Sequence, residues 1–191
     1  MIERSRAMRD NYIHLIDQTG LDALKGLIGE SMMMLYSASL HVTVVDGRPH
    51  VKAYDVSIGS ATGPWVIIQN DWEGYIEWID CFAMSVTTAQ DPHNLKISRS
   101  GHKVTIEGPW AEVQLWGGRL TSLDVFEHRE IANGHEVLYD CALVFTFQNG
   151  RRFALEREDS IVGLMQLRFG ADEVNDIERT YSRRVHLSHT V

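Results

Sequence analysis

HEVLYDCALVFTFQNGRRFALER, residues 135–157, is the stretch whose reading decides the fold. Val137, Tyr139, Cys141, Leu143, Phe145 and Phe147 recur at every second position, the period of a half-buried strand. Asn149-Gly150 is a turn signal, and Phe153 and Leu155 resume the pattern beyond it. A tight Asn149-Gly150 loop would set Phe145 opposite Ala154 and Leu143 opposite Glu156, splitting the apolar residues between faces. A three-residue loop, Gln148-Asn149-Gly150 with Gly150 left-handed, sets Phe145 opposite Phe153 and Leu143 opposite Leu155. The second register puts the large side chains on one face and is the one expected.

Other hairpins surround this one. Asp46-Gly47 is a favoured two-residue turn. It pairs Val44 with Pro49, Val42 with Val51 and Leu40 with Ala53, and Pro49 points to an edge or a bulge. Trp65 to Gln69 reads as a strand, Asn70 to Gly74 as a turn, and Tyr75 to Thr87 as a long strand whose apolar face Asp80 interrupts. A Ser100-Gly101 turn would pair Ile97 with Val104 and Leu95 with Ile106. In Trp110 to Trp116, Ala111, Val113 and Leu115 share one face, and Trp110, Glu112, Gln114 and Trp116 share the other. Leu120 to Ile131 reads as a strand with an irregularity near Asp124. A short strand is expected within Ile161 to Phe169.

Helical signals lie at the ends. Residues 4–17 carry Met8, Tyr12, Leu15 and Ile16 on one side. Thr19 and Asp22 resemble a capping box ahead of Leu21, Leu24 and Ile28. That helix is expected to end near Gly29 or in Met32-Met33-Met34. Gly170 and Asp172 introduce a last helix with Val174, Ile177 and Tyr181 in one stripe and Arg179, Arg183 and Arg184 at its C-terminal end. Hairpins without regular strand–helix alternation argue for an α+β fold. The expected architecture is a mainly antiparallel meandering β-sheet, as a curled sheet, roll or sandwich, with helices at the N- and C-terminal ends. A single domain over residues 1–191 is expected, with a helical segment at 1–30, sheet at 38–169 and a C-terminal helix at 171–184.

With 44% hydrophobic and 23% charged residues the chain has a globular composition. It starts without an apolar leader and holds no run long enough to span a bilayer, so a cytoplasmic location is expected. Cys81 and Cys141 each fall inside a strand pattern and are expected to be unlinked thiols. The net charge is -8. From Ser60 to Asp140 there are 12 acidic residues against five basic ones, so this stretch alone carries -7. Such a surface repels phosphate backbones and attracts basic partners, which weighs against direct nucleic-acid binding.

Chemistry-bearing motifs are sparse. The Gly59–Pro64 loop has no following Gly-Lys-Ser/Thr and is not a P-loop. His186 and His189, and His128 and His135, do not match a zinc signature, so no metal or other cofactor is expected. There is no Gly-x-Ser-x-Gly elbow, and Cys141 on an apolar strand face would be neutral and inert. Asp80 on an apolar face would have a raised pKa unless paired, and a structural role is favoured. No catalytic residue is assigned.

The first functional reading is therefore a non-catalytic interaction module, an acidic adaptor or inhibitor of a partner with a basic surface. One kind of partner would be a nucleic-acid-handling complex with an exposed basic channel. Its expected contacts are Trp110, Glu112, Gln114 and Trp116, with Asp71, Trp72 and Glu73. The alternatives are a small-ligand binding protein or enzyme with a pocket in a curled sheet, and a structural subunit that assembles with copies of itself.

Overall fold

A computed structural model describes residues 12–31, 34–59, 64–76, 79–100, 103–107, 111–115, 118–132, 134–158 and 163–189. In chain order the elements are β1 (Tyr12–His14), α1 (Gln18–Gly26), β2 (Met34–Ser37), β3 (His41–Val45), β4 (Arg48–Ala53) and β5 (Asp55–Gly59). Next come β6 (Trp65–Ile76), β7 (Ile79–Ala89), β8 (Lys96–Ser100), β9 (Lys103–Glu107) and β10 (Ala111–Gln114). The chain continues with β11 (Leu120–Ala132), β12 (His135–Phe147), β13 (Arg152–Arg157), β14 (Met165–Phe169), α2 (Ala171–Thr180) and β15 (Ser182–Ser188). The structure is mostly antiparallel sheet with two helices, one near each end. Among the described residues no helix is long and apolar enough to cross a membrane.

The central hairpin has the expected register. Phe145 lies opposite Phe153 and Leu143 opposite Leu155. Gly150 has φ 80°, and the Gly150 N–H donates to the Phe147 carbonyl at 2.9 Å. The Phe145 and Phe153 rings stack with centroids 4.4 Å apart. The larger sheet runs β15-β11-β12-β13-β14-β4-β3, with β1 added to β12. The smaller sheet runs β10-β2-β5-β6-β7, and β8 pairs with β9. The two larger sheets share one core. Leu143, Phe145, Phe153, Leu155 and Met165 from one meet Leu35, Val56, Ile58, Ile68 and Met84 from the other, with Leu24 of α1. Helix α2 covers the opposite face of the large sheet, where Val174 and Ile177 pack on Phe126, Val144 and Ala154.

The strict alternation expected along β12 breaks at Cys141. Phe126 pairs with Ala142 but Glu127 pairs with Asp140, so Cys141 is an extra residue, a β-bulge. The side-chain face reverses there. Val137, Tyr139 and Cys141 join Ala142 and Val144 under α2, whereas Leu143, Phe145 and Phe147 enter the shared core. A second bulge lies beside it, because Val125 pairs with Val185 but Phe126 pairs with Arg183, leaving Arg184 extra on β15. The irregularities of β11 against β12 thus fall on either side of Asp124, at Leu120/Ser122 and Phe126/Glu127.

A helix is present near each end, as expected, but the bounds of both helical segments differ. Tyr12–His14 forms a strand parallel to Val137–Tyr139, not part of a helix over 4–17 or 1–30; residues 4–11 lie outside the described residues. The 13-residue β12 outruns the six-residue β13, and β1 takes the backbone edge that β13 leaves. Helix α1 is capped two residues before Thr19, by Asp17, whose carboxylate accepts the Gly20 N–H at 2.7 Å. Gly20 is also a close-approach site, since a Cβ there would lie 2.7 Å from Ile16 and 3.1 Å from Val86. At the other end, α2 stops at Thr180, short of residue 184, and Ser182–Ser188 instead pairs with the outer edge of β11.

Three strand readings also shift. Asn70–Gly74 is not a turn: β6 runs through it to Ile76, with a bulge between Trp72 and Gly74. Gly74, at φ 142°, absorbs the distortion, and the long partner strand is Ile79–Ala89. The β8–β9 connection is residues 101–102, so Ile97 pairs with Ile106 and Arg99 with Val104. This differs from the expected register by two positions, which preserves the side-chain faces. The strands extend beyond 38–169, from Tyr12 to Ser188, interrupted by the two described helices, and are divided between sheets. The Asp46-Gly47 hairpin keeps its register, with φ 51° and 76° at the turn, and β3 is an edge strand as Pro49 suggested. Residues 32–33 and 60–63 lie outside the described residues.

Replacing Phe145 by alanine removes a fully buried ring from the stacked pair at the sheet centre. Urea unfolding is expected to show a loss of about 3–5 kcal/mol.

Candidate functional site

Of the residues singled out for partner binding, Trp110 and Trp116 lie outside the described residues. Glu112 and Gln114 are on β10, with backbones opposite Tyr36 and Met34; their side chains lie outside the description. Asp71, Trp72 and Glu73 are on β6. In the smaller sheet β10 and β6 are separated by β2 and β5, roughly 14 Å at the usual strand spacing. The structure therefore does not gather the two sets side by side.

Asp71, Trp72 and Glu73 sit on an arm. Strand β5 pairs with β6 only over Val66–Gln69. The Asn70 N–H still donates to the Tyr54 carbonyl at 3.4 Å, and from Asp71 to Ile76 β6 has only β7 as a strand partner among the described residues. Along the inward face, Val66 and Ile68 belong to the shared core, Asn70 is buried, and Trp72 at the next position is 52% exposed. Asp71 is tied down, since its Oδ2 accepts the Ser85 hydroxyl at 2.5 Å. Glu73 is exposed at the bulge. Phe82, opposite Trp72, is half-buried against Gly163, where a Cβ would lie 2.6 Å from its ring. The arm presents a half-exposed indole on one face of the strand and the Asp71 carboxylate on the other.

A second concave region, which the sequence did not single out, lies beside α2. It is an open groove of about 170 Å³ lined by Tyr139, Cys141, Glu156, Arg157, Glu158, Gln166, Arg168 and Tyr181. Glu156 accepts from Arg168 Nε at 2.7 Å and Nη2 at 2.5 Å, and from the Tyr181 hydroxyl at 3.1 Å. Arg157 lies over the Tyr139 ring, 4.0 Å from its centroid, and His128 meets Tyr139 and Tyr181 edge-on. Burial first, then the carboxylates of Glu156 and Asp140, push the Cys141 thiol far above its usual pKa. Its Sγ donates to the Phe126 carbonyl at 3.4 Å. Burial and Glu156 likewise hold Tyr181 in its protonated form. The groove thus carries neutral thiol and phenol groups and a carboxylate already neutralised by arginine. Such groups can bind, but none is prepared as a nucleophile.

The remaining buried charges serve the framework. Asp140, fully buried, receives Arg184 Nε at 2.7 Å, Arg184 Nη2 at 2.5 Å and the Ile16 N–H at 2.7 Å. Asp124 meets His186 Nδ1 at 2.7 Å and Arg183 at 3.5 Å. Asp55 lies 3.4 Å from His93 Nδ1, but Ser57 Oγ accepts the His93 backbone N–H at 2.8 Å. The serine is therefore engaged by the histidine main chain, which is not the alignment of a base-activated nucleophile. The histidine pairs go separate ways, His128 to the tyrosines, His186 to Asp124 and His189 against Gly29. Among the described residues no group of three or more His, Cys, Asp or Glu could hold a metal ion. The Asp80 and Cys81 side chains lie outside the description; Cys141 is a free thiol. The chain matches no protein-family model, no curated protein and no solved structure.

The raised pKa values of Cys141 and Tyr181 have a definite sign for stability. Both groups are acids that ionise more easily when unfolded, so their contribution is complete below the unfolded pKa and is lost as pH rises above it. Stability is expected to decline from about pH 8.5, where an unfolded cysteine ionises, and more steeply beyond about pH 10 with tyrosine. Urea midpoints measured across that range for Cys141→Ala should lack the earlier decline, and for Tyr181→Phe much of the later one.

Proposed function

We propose that the protein is a non-catalytic interaction module, an acidic adaptor or inhibitor that docks on the basic surface of a protein partner. The observation that carries this reading is Trp72, 52% exposed between Asp71 and Glu73 where β6 has run past its pairing with β5. A half-exposed indole flanked along the strand by acidic residues suits a hot-spot anchor with charge steering around it. The negative charge of the middle of the chain, apart from the internally paired Asp124 and Asp140, supports a basic partner, of the kind a nucleic-acid-handling machine presents along its channel. The use of Asp140, Asp124 and Glu156 as internal ion-pair partners supports a binding role over a catalytic one. In this reading the chain acts as one domain in the cytoplasm, its two larger sheets forming a sandwich, and Glu112, Gln114, Trp110 and Trp116 supply a second contact surface.

A small-ligand reading is favoured by one observation, the open groove beside α2 with its tyrosine walls. It ranks second because Arg168 and Tyr181 already satisfy Glu156.

A pull-down from the native host with the intact chain as bait, followed by mass spectrometry, identifies the partner. Against that partner, Trp72→Ala is expected to weaken binding by about 2 kcal/mol or more with an unchanged melting temperature. Glu73→Gln is expected to act mainly on the association rate and its salt dependence. A Trp72→Ala variant that binds like the parent chain contradicts the proposed anchor.

A further inference from the structure

Strand β3, His41-Val42-Thr43-Val44-Val45, is exposed along its whole length, with Val42 60% and Val44 71% exposed. It is the last strand of the larger sheet in the order β14-β4-β3, so among the described residues no strand covers its outer side. Edge strands of monomers are usually blunted by charge, proline or a bulge. This one has none of these within its five residues.

The hydrogen-bonding direction of each residue follows from the turn. Asp46 and Gly47 both have positive φ, so the pair closing the two-residue turn, Val45 and Arg48, is hydrogen-bonded. Antiparallel ladders alternate, so Thr43 also bonds inward to His50, while Val42 and Val44 turn their N–H and C=O groups outward. The same alternation explains Pro49 on β4. Opposite Val44, its nitrogen points away from β3, past the end of the β14 pairing at Val51.

We infer that β3 pairs antiparallel with β3 of a second copy of this chain about a two-fold axis at Thr43, making one continuous sheet. That register alone pairs both outward-facing residues of one copy with both of the other. Val42 of each copy faces Val44 of the other, and these are the residues whose backbone groups point outward. All four valine side chains then fall on one face. The Asp46 turn of each copy comes beside the His41 end of the other, so opposite charges meet at both ends when His41 is protonated. The strand itself carries no formal charge with neutral histidine, so it does not repel its copy. Five residues per side make a small interface, which points to a reversible dimer that forms at elevated concentration. β3 shares no residue with the Trp72 arm, and its test does not depend on the partner of that arm.

Sedimentation equilibrium of the full chain from low to several hundred micromolar is expected to show a shift from 21.7 kDa toward twice that mass. Val44→Lys is expected to raise the dimer dissociation constant at least tenfold, roughly the effect of a buried unpaired charge on a small interface. Val44→Pro, which removes an outward N–H and no hairpin bond, should do the same; thermal melts check that both variants fold. In a Cys81→Ser background, Thr43→Cys should form an intermolecular disulfide on mild oxidation, because the axis sets this position against itself. Val45→Cys, opposite His41 of the other copy, should not. A chain that stays at 21.7 kDa throughout overturns the inference. So does a dimer that survives both Val44 substitutions, which would place the contact elsewhere.

Discussion

The carboxylate of Asp140 is the point on which three distant parts of the chain depend. It is fully buried on β12, receives both Nε and Nη2 of Arg184 from β15, and accepts the N–H of Ile16 just before α1. A buried carboxylate left without these donors would cost several kcal/mol. The cost is avoided only when the N-terminal segment, the central strand and the C-terminal strand are all in place. Hydrophobic burial supplies most of the driving force for folding, but it is tolerant of small slips. The bidentate guanidinium–carboxylate geometry is not, and it fixes the register of β15 on β11 and the entry of α1.

That ion pair exists because two bulges lie abreast. Cys141 on β12 and Arg184 on β15 are extra residues on either side of Phe126 of β11. Without the first, Asp140 and Leu143 could not both turn toward the shared core. Without the second, Arg184 could not reach across β11 to Asp140. The same distortion turns Tyr139 and Cys141 outward under α2, where they form the wall of the Glu156–Arg168–Tyr181 groove. Bulges re-aim side chains, and here one pair of bulges positions the internal ion pair and the groove together.

The legible part of the fold is the part set by local pairing. The hairpins at Gly150 and Asp46-Gly47 declare their registers through turn residues and the demand that large apolar side chains share a face. What is not legible depends on contacts across the fold. A one-residue bulge at Cys141 is invisible to a period-two pattern, because apolar Ala142 and Val144 continue it equally well on the other face. Tyr12–His14 and Ser182–Ser188 carry weak local preferences, and each becomes a strand because a longer neighbour offers an open backbone edge. Reading Asn70–Gly74 as a turn follows from its polar residues and glycine; the continuing pairing to β7 decides otherwise. Of the candidate site, Asp71, Trp72 and Glu73 were legible as an aromatic among acids. The groove was not, because Glu156, Arg168 and Tyr181 come together from β13, β14 and the end of α2.

The dependence on Asp140 is tested most directly by a double-mutant cycle in urea unfolding, using Asp140→Asn, Arg184→Met and the two combined. Each single substitution is expected to cost about 3–5 kcal/mol, because it strands a buried partner. The combined variant should lose little more than either single one, a coupling of several kcal/mol. Single losses below about 1 kcal/mol that simply add would mean that the pair contributes no more than a surface ion pair, and would contradict its place at the centre of the fold.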